Sequence, residues 1–375
     1  MIYLDSAATT LQKPPAVARA MAKAVCQLAS PGRGGYPASM QAAEVAFRCR
    51  EKLAELLDAE GPEQVVFTSS ATHGLNIAIR SLVKPGARVV VSGYEHNAVT
   101  RTLADIPDVQ VVRAAGELFD PEGDLAAFAS ALEQPVDAVI CNHVSNVFGY
   151  VLPVEKIAAL CRDRGVPLIV DASQSAGILD VKAGQWGAAY VAMPGHKGLY
   201  GPQGTGVLVC GANQMPVALL TGGTGSASRE QNMPEELPDR LEAGTHNMPG
   251  IAGLSAGVSF VRSVKTNRIL QHERSLAEML KLGLSRLDRV EVIAPPASCG
   301  TGVISFRIRG MDCETASEGL ARCGFCLRAG LHCAPFAHET AGTLDTGTIR
   351  ASFSVFNTQR EVEQLVYAVR SVAEK

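Results

Sequence analysis

Apolar residues along this chain fall into two rhythms. Short unbroken runs at Val65-Val66-Phe67-Thr68, Arg88-Val89-Val90-Val91, 109–112, 138–141, 167–170, 188–193 and 207–209 read as buried strands. Between them lie stretches with apolar positions at helical spacing: from Ser69–Gly74 through Val83, then 96–104, 124–133 and 154–164. Continuous apolar strands alternating with helices predict an α/β fold, with a mostly parallel sheet covered on both faces. Two helices precede it, over 11–29 and 39–57, the second with Ser39 as its N-cap; the breakers of 30–37 make the loop between them. Past Asn213 the alternation weakens. Helices at 250–264, 268–287, 312–323 and 359–372, with strands at 302–307 and 348–353, predict a smaller α+β unit. We expect an N-terminal segment over 1–20 packing with the small domain, a large domain over 21–260 and a small C-terminal domain over 261–375.

Sheets of this kind bind ligands at the carboxyl ends of their strands. Thr72, Asn146, Asp171 and Lys197 each follow a predicted strand, so they can converge despite their separation in sequence. Lys197 closes Pro194-Gly195-His196-Lys197, a turn between two apolar runs. An ammonium there is costly to desolvate unless it is paired or reacts, and a lysine of lowered pKa forms Schiff bases with carbonyls. Its duller alternative is an exposed loop lysine near glycines. Ser69-Ser70-Ala71-Thr72-His73-Gly74, where a strand meets a helix, suits a phosphate, or is an ordinary N-cap. Asp171, ending its strand, suits a pyridinium N–H, a magnesium ion or an N-cap.

Composition narrows the classes. A 375-residue chain with 47% hydrophobic and 19% charged residues is long for one core and too apolar for disorder. A net charge of −3 offers no basic field for nucleic acid or an anionic membrane, and no apolar stretch is long enough to span a bilayer. With no leader pattern at the N-terminus, the 10 cysteines are expected as reduced thiols in a cytoplasm. Cys323-Gly324-Phe325-Cys326 has the spacing of a redox or metal pair, but no second pair matches it, and Phe325 and Leu327 read as buried residues of a short strand. Cys26, Cys49, Cys141, Cys161 and Cys210 fall in helix or strand patterns and are expected in the core. Cys333 differs: small and polar neighbours and Arg328 nearby predict an exposed, partly ionised thiol.

Six stretches taken in order carry a family likeness: Glu95-His96-Asn97-Ala98, His143-Val144-Ser145-Asn146, Val170-Asp171-Ala172-Ser173-Gln174, Gly195-His196-Lys197, Glu242-Ala243-Gly244-Thr245, and Arg328 through Ala334. From Tyr3-Leu4-Asp5 to Arg350-Ala351-Ser352-Phe353 the chain resembles class V aminotransferase-fold enzymes, and among them SUF-type cysteine desulfurases. The resemblance implies a fold type I transferase dependent on pyridoxal 5'-phosphate. Lys197 would carry the cofactor as a Schiff base, and His96 would stack on the ring and shuttle a proton. Asp171 would bind the ring nitrogen and Gln174 the phenolic oxygen. Thr72, the Ala71 amide and His196 would hold the phosphate. Asn146 and Arg350 would take the substrate carboxylate, and Arg328 would lie beside the cysteine loop. Thr245 would reach the phosphate of a neighbouring subunit, which implies a homodimer. Cys333 would take sulfur from L-cysteine as a persulfide, releasing alanine, and pass it to an acceptor protein.

Two positions depart from the pattern. Pro194 stands where the family usually has a phosphate-binding serine, and His73 where it usually has glutamate; a histidine there could add a phosphate donor. The departures leave open a selenocysteine lyase or another C–S lyase on the same fold, or a non-catalytic protein that retains it.

Overall fold

The computed structural model describes residues 1–32, 34–212 and 214–374; Arg33, in the loop expected over 30–37, lies outside the described residues, as do Asn213 and Lys375. The chain opens with β1 (Ile2–Tyr3), α1 (Pro15–Gln27) and α2 (Pro37–Leu57). The alternating region follows as β2 (Val65–Thr68), α3 (Ala71–Leu82), β3 (Arg88–Ser92), α4 (Asn97–Ala104), β4 (Gln110–Ala114), α5 (Pro121–Ala131), β5 (Ala138–Asn142), α6 (Val154–Arg164), β6 (Leu168–Asp171), α7 (Ala183–Trp186), β7 (Tyr190–Pro194) and β8 (Gly206–Cys210). The last part comprises α8 (Met248–Val264), α9 (Thr266–Leu284), β9 (Val290–Ile293), β10 (Val303–Ile308), α10 (Cys313–Arg322), β11 (Phe325–Cys326), β12 (Arg328–Gly330), α11 (Pro335–Thr340), β13 (Thr348–Ser352) and α12 (Gln359–Ala373).

Seven strands form the large sheet in the order β2-β8-β7-β6-β5-β3-β4. β4, β3, β5, β6 and β7 run parallel, and β8 is antiparallel to both its neighbours. β5, β6, β7 and β8 are buried throughout, as unbroken apolar runs require when helices cover both faces. Separate apolar clusters fill the two sides: Leu53, Val90, Val139 and Val191 lie on one, Leu75, Val89, Ile140 and Ala192 on the other. The second sheet, β12-β13-β10-β9, is antiparallel and packs α9, α10 and α12 around Phe306, Ile349 and Leu365. Leu4 of the N-terminal segment is buried in that same cluster, and β1 pairs with β11.

Local chemistry moved several expected boundaries. α1 begins at Pro15, because a residue before proline disfavours helix and Pro14 stays extended. Ser39 does not cap α2: Pro37 takes the first helical position with Tyr36 before it, and the Ser39 hydroxyl donates to the Ser30 carbonyl at 2.8 Å. Cys26, expected in the core, is exposed on α1, whereas Cys49, Cys141, Cys161 and Cys210 are buried. β1 is only two residues long and takes its strand conformation from its pairing with β11. Phe325 of the expected short strand is buried, and Leu327 is half-buried between β11 and β12. Among the described residues, no helix is long and apolar enough to cross a membrane.

α9 buries Glu273, 2% exposed, and burial pushes its carboxyl up to about 8. The folded chain therefore holds a proton that the unfolded chain releases near pH 4. Stability contributed by that proton is lost as pH rises from about 4 to about 8. Glu273→Gln is expected to raise the melting temperature at pH 9 relative to wild type, with the gap shrinking toward pH 5. A constant gap across that range is the contrary result.

Candidate active site

The carboxyl ends of β5, β6 and β7 and the N-termini of α3 and α4 meet around a cavity of about 110 Å³. Ala71, Thr72, His96, Asn146, Asp171, Gln174, His196 and Lys197 all line it, with Pro194, Ser70 and Asn142. Eight expected residues from five segments are thus brought to one place. Two glycines allow the close packing behind them. A Cβ at Gly195 would lie 2.1 Å from Thr205 Oγ1, and one at Gly206 would lie 2.6 Å from the Ser70 backbone.

Burial lowers the Lys197 amine to about 8, with Arg350 and Arg328 adding to the shift and Asp171 opposing it. About a tenth of the amine is then neutral, and so nucleophilic, at pH 7, far more than for an ordinary lysine. His196, before it, is anchored by its carbonyl, which accepts from the Thr10 amide at 3.1 Å and from Lys13 Nζ at 2.9 Å. The N-terminal segment therefore braces the turn that presents Lys197.

His96 is both an N-cap and a site residue. Its Nδ1 accepts the Ala98 amide at 3.0 Å, which places the ring proton of the neutral form on Nε2. Burial lowers its pKa to about 4, so the ring is uncharged at neutral pH. Asp171 Oδ1 accepts the Ser173 amide at 2.9 Å. Gln174 Nε2 donates one proton to the Ala7 carbonyl at 2.9 Å and keeps a second.

The phosphate expectations divide. Ala71 and Thr72 open α3, whose free amides favour an anion. Pro194 has no donor, but His196 Nδ1 beside it is buried without a hydrogen-bond partner. A dianionic group there would satisfy it. His73 does not join them. Its ring sits 3.4 Å from the Ser69 hydroxyl and lines a separate cavity of about 430 Å³ with Thr245, His246 and Asn247. One residue beyond Thr72 on a helix is a turn of about 100°, which carries the side chain off the cavity. Thr245 is likewise absent from the Lys197 cavity and is exposed.

Arg350 is 1% exposed on β13. Its Nη2 donates to Asp5 Oδ1 at 2.6 Å and its Nη1 to the Asn146 carbonyl at 2.8 Å, while Nε is buried without a partner. Arg328 sits directly across on β12, and each guanidinium faces a like charge. Cross-strand like charges are unfavourable, so the pair calls for anions; Asp5 supplies one. Nothing in the local sequence marks Asp5, because its partner lies 345 residues away.

Cys333 is exposed, and Arg328 Nη2 approaches its sulfur at 3.5 Å. His332 and Cys333 both have positive φ, 50° and 58°, a left-handed turn that non-glycine residues seldom adopt. Two bonds hold it there: the Asn97 amide donates to the Cys333 carbonyl at 2.7 Å, and Asn146 Nδ2 to the His332 carbonyl at 2.8 Å. The thiol-bearing loop is thereby fastened to two walls of the lysine cavity. Asn146, expected on the substrate carboxylate, spends one of its N–H groups on this loop.

A parallel sheet with a lysine, an aspartate and a helix N-terminus at its carboxyl edge defines a fold type I pyridoxal-phosphate enzyme, and the orphaned His196 nitrogen, the near-neutral amine and the anion-seeking amides fit that cofactor. The family profile of class-V aminotransferases matches residues 2–365, and the chain belongs to that family. It is 33% identical over 385 residues to a probable cysteine desulfurase of Methanothermobacter thermautotrophicus, covering 99% of this chain and 94% of that one. It is 29% identical to a cysteine desulfurase of Haloferax volcanii, covering 100% and 90%. Among solved structures, the apo cysteine desulfurase of Thermococcus onnurineus superposes with a TM-score of 0.90 at 29% identity, covering 100% of this chain and 94% of that one. The S-sulfonic acid form of the cysteine desulfurase CsdA from Escherichia coli superposes at 0.86 and 27%, covering 99% and 94%.

Proposed function

We infer that this protein is a pyridoxal-phosphate-dependent cysteine desulfurase, converting L-cysteine to L-alanine and collecting the sulfur on Cys333. The observation that carries the assignment is the exposed Cys333 thiol on a loop bonded through Asn97 and Asn146 to the Lys197 cavity. A lyase that merely expels sulfide has no use for it.

When bound, the cofactor withdraws electrons from the amino-acid Cα. The chain's own groups do the rest. Ala71, Thr72 and His196 would hold the phosphate, Asp171 the ring nitrogen and Gln174 the phenolic oxygen, and the neutral His96 ring would pack against the cofactor ring. Lys197, able to hold or release a proton near neutral pH, moves the Cα proton. Arg350, with Asn146, orients the substrate carboxylate through N–H groups not already used. The Cys333 sulfur attacks the substrate sulfur: an S–S bond forms, the Cβ–S bond breaks, and the carbon takes a proton to end as alanine. The persulfide is left on Cys333. Incubation with L-cysteine should yield alanine and a Cys333 persulfide in equal first-turnover amounts; alanine without the persulfide counts against the assignment.

Asp5 holds Arg350 in this scheme. Asp5→Ala removes one charge-assisted bond worth about 1.5–3 kcal/mol, so KM for cysteine should rise on the order of tenfold to a hundredfold, with kcat changing less. An unaltered KM would count against Arg350 as the carboxylate site.

We further propose a homodimer in which Thr245, exposed and outside its own chain's lysine cavity, serves the neighbouring site. Light scattering tests the dimer, and hybrids of Thr245→Ala and Lys197→Ala chains test the sharing. The exposure of Cys333 suits delivery of sulfur to an acceptor protein, as in iron–sulfur cluster assembly. The ten cysteines are all unpaired, which suits a cytoplasmic setting.

A further inference from the structure

Glu95 precedes the ring-stacking His96 and has no part in the scheme above. It is 0% exposed and lies behind Asn142, which lines the lysine cavity. Counting protons around it determines its state. Ser92 Oγ lies 2.5 Å from Glu95 Oε1 and 2.8 Å from Asn142 Oδ1. Asn142 Nδ2 donates to the Tyr94 carbonyl at 2.9 Å, which fixes Oδ1 as the atom facing Ser92; the flipped amide would set two carbonyl oxygens against each other. A serine hydroxyl has one proton, and here it stands between two oxygens. A contact of 2.5 Å between oxygens needs a proton of its own. That second proton belongs to Glu95. The side-chain bonds then run from Glu95 Oε1–H to Ser92 Oγ, from Ser92 Oγ–H to Asn142 Oδ1, and from Asn142 Nδ2–H to Tyr94 O, while the Asn142 backbone N–H donates to a lone pair of the same Glu95 Oε1 at 2.8 Å.

The other carboxyl oxygen leads to the same state. Glu95 Oε2 is buried with no hydrogen-bond partner. A lone carbonyl oxygen tolerates that far better than half of a carboxylate does. Asn142 of β5 is in register with Asp171 of β6 and bonds Glu95 through its backbone N–H, so Asp171 lies on the strand beside Glu95's partner.

We propose that Glu95 is a positioning residue held as a neutral carboxylic acid, orienting Asn142 and leaving Asp171 the single negative charge beneath the cofactor ring. This rests on the role given to Asp171 above. Burial, with Asp171 adding to it, pushes the Glu95 carboxyl up to about 8. The acid therefore ionises only above neutral pH, where its charge would crowd Asp171.

Carbon-13 spectra of glutamate-labelled holoenzyme test the state directly. Two glutamate carboxyl carbons should sit at the protonated shift at pH 7 and titrate near pH 8: Glu95→Gln removes one, and Glu273→Gln the other. Glu95→Gln cannot ionise, so its bound-cofactor absorbance should stay the same between pH 7 and pH 9, even though its amide cannot both donate to Ser92 and accept the Asn142 N–H from one atom. At pH 9 it should retain pyridoxal phosphate several-fold more tightly than wild type. A wild-type spectrum at pH 7 with no protonated glutamate carbon beyond the one lost in Glu273→Gln overturns the neutral acid, and Glu273→Gln supplies that count if Glu95→Gln fails to fold. Two protonated carbons with equal cofactor affinity at pH 9 overturns the link to Asp171. The role of Asp171 is judged separately: if Asp171→Asn leaves the cofactor spectrum unaltered, that role fails while the Glu95 carbon stays in place.

Discussion

Lys197→Ala is expected to abolish alanine formation, by on the order of 10³-fold or more, and to leave no borohydride-stable cofactor label on the 190–200 peptide. Size follows from role: the amine is both the covalent anchor and the group that handles the Cα proton. The local environment adds a pH signature. With its pKa lowered to about 8, roughly a tenth of the Lys197 amine is neutral at pH 7 in the cofactor-free protein. Cofactor uptake by that protein should therefore accelerate as pH rises from 7 and level off above about 8. An ordinary exposed lysine would show the rise only near pH 10. Label found on another lysine, or uptake that is flat from pH 7 to 9, would remove Lys197 from the centre of the site.

Cys333→Ala should be nearly as severe for sulfur transfer and almost silent for the cofactor. Persulfide on the chain disappears and alanine formation falls on the order of 10²–10⁴-fold, while the absorbance of bound pyridoxal phosphate stays as in wild type. The split arises because the loop is tied to the cavity through backbone carbonyls, that of Cys333 accepting the Asn97 amide and that of His332 accepting Asn146 Nδ2, which alanine at 333 preserves. Retention of sulfide release at the wild-type rate would favour a β-eliminating C–S lyase. Cys323→Ala provides the comparison. That thiol is also exposed, at the end of α10, and its loss should leave turnover unchanged.

Much of the site was legible because strand ends can be read locally. Thr72, Asp171 and Lys197 each follow an apolar run, and in a parallel sheet such residues converge on one edge. His73 was misplaced because spacing along a helix decides which way a side chain points, and one residue is enough to turn it into another cavity. Ser39 and Cys26 failed for reasons of boundary and exposure: a proline two residues ahead outranked the serine, and a cysteine at helical spacing fell on the open face of α1.

The order of apolar runs and breakers determined the sheet, its covering helices and the strand ends that gather the lysine cavity, since those depend on neighbours a few residues apart. Tertiary structure alone decided what each gathered group can do. The pairing of Asp5 with Arg350, the bracing of His196 by Lys13 and Thr10, the fastening of the Cys333 loop and the proton shared out among Glu95, Ser92 and Asn142 all join segments far apart in sequence. Desolvation and proton counts belong to those assembled neighbourhoods, because the charge a side chain carries is set by what surrounds it once the chain has closed.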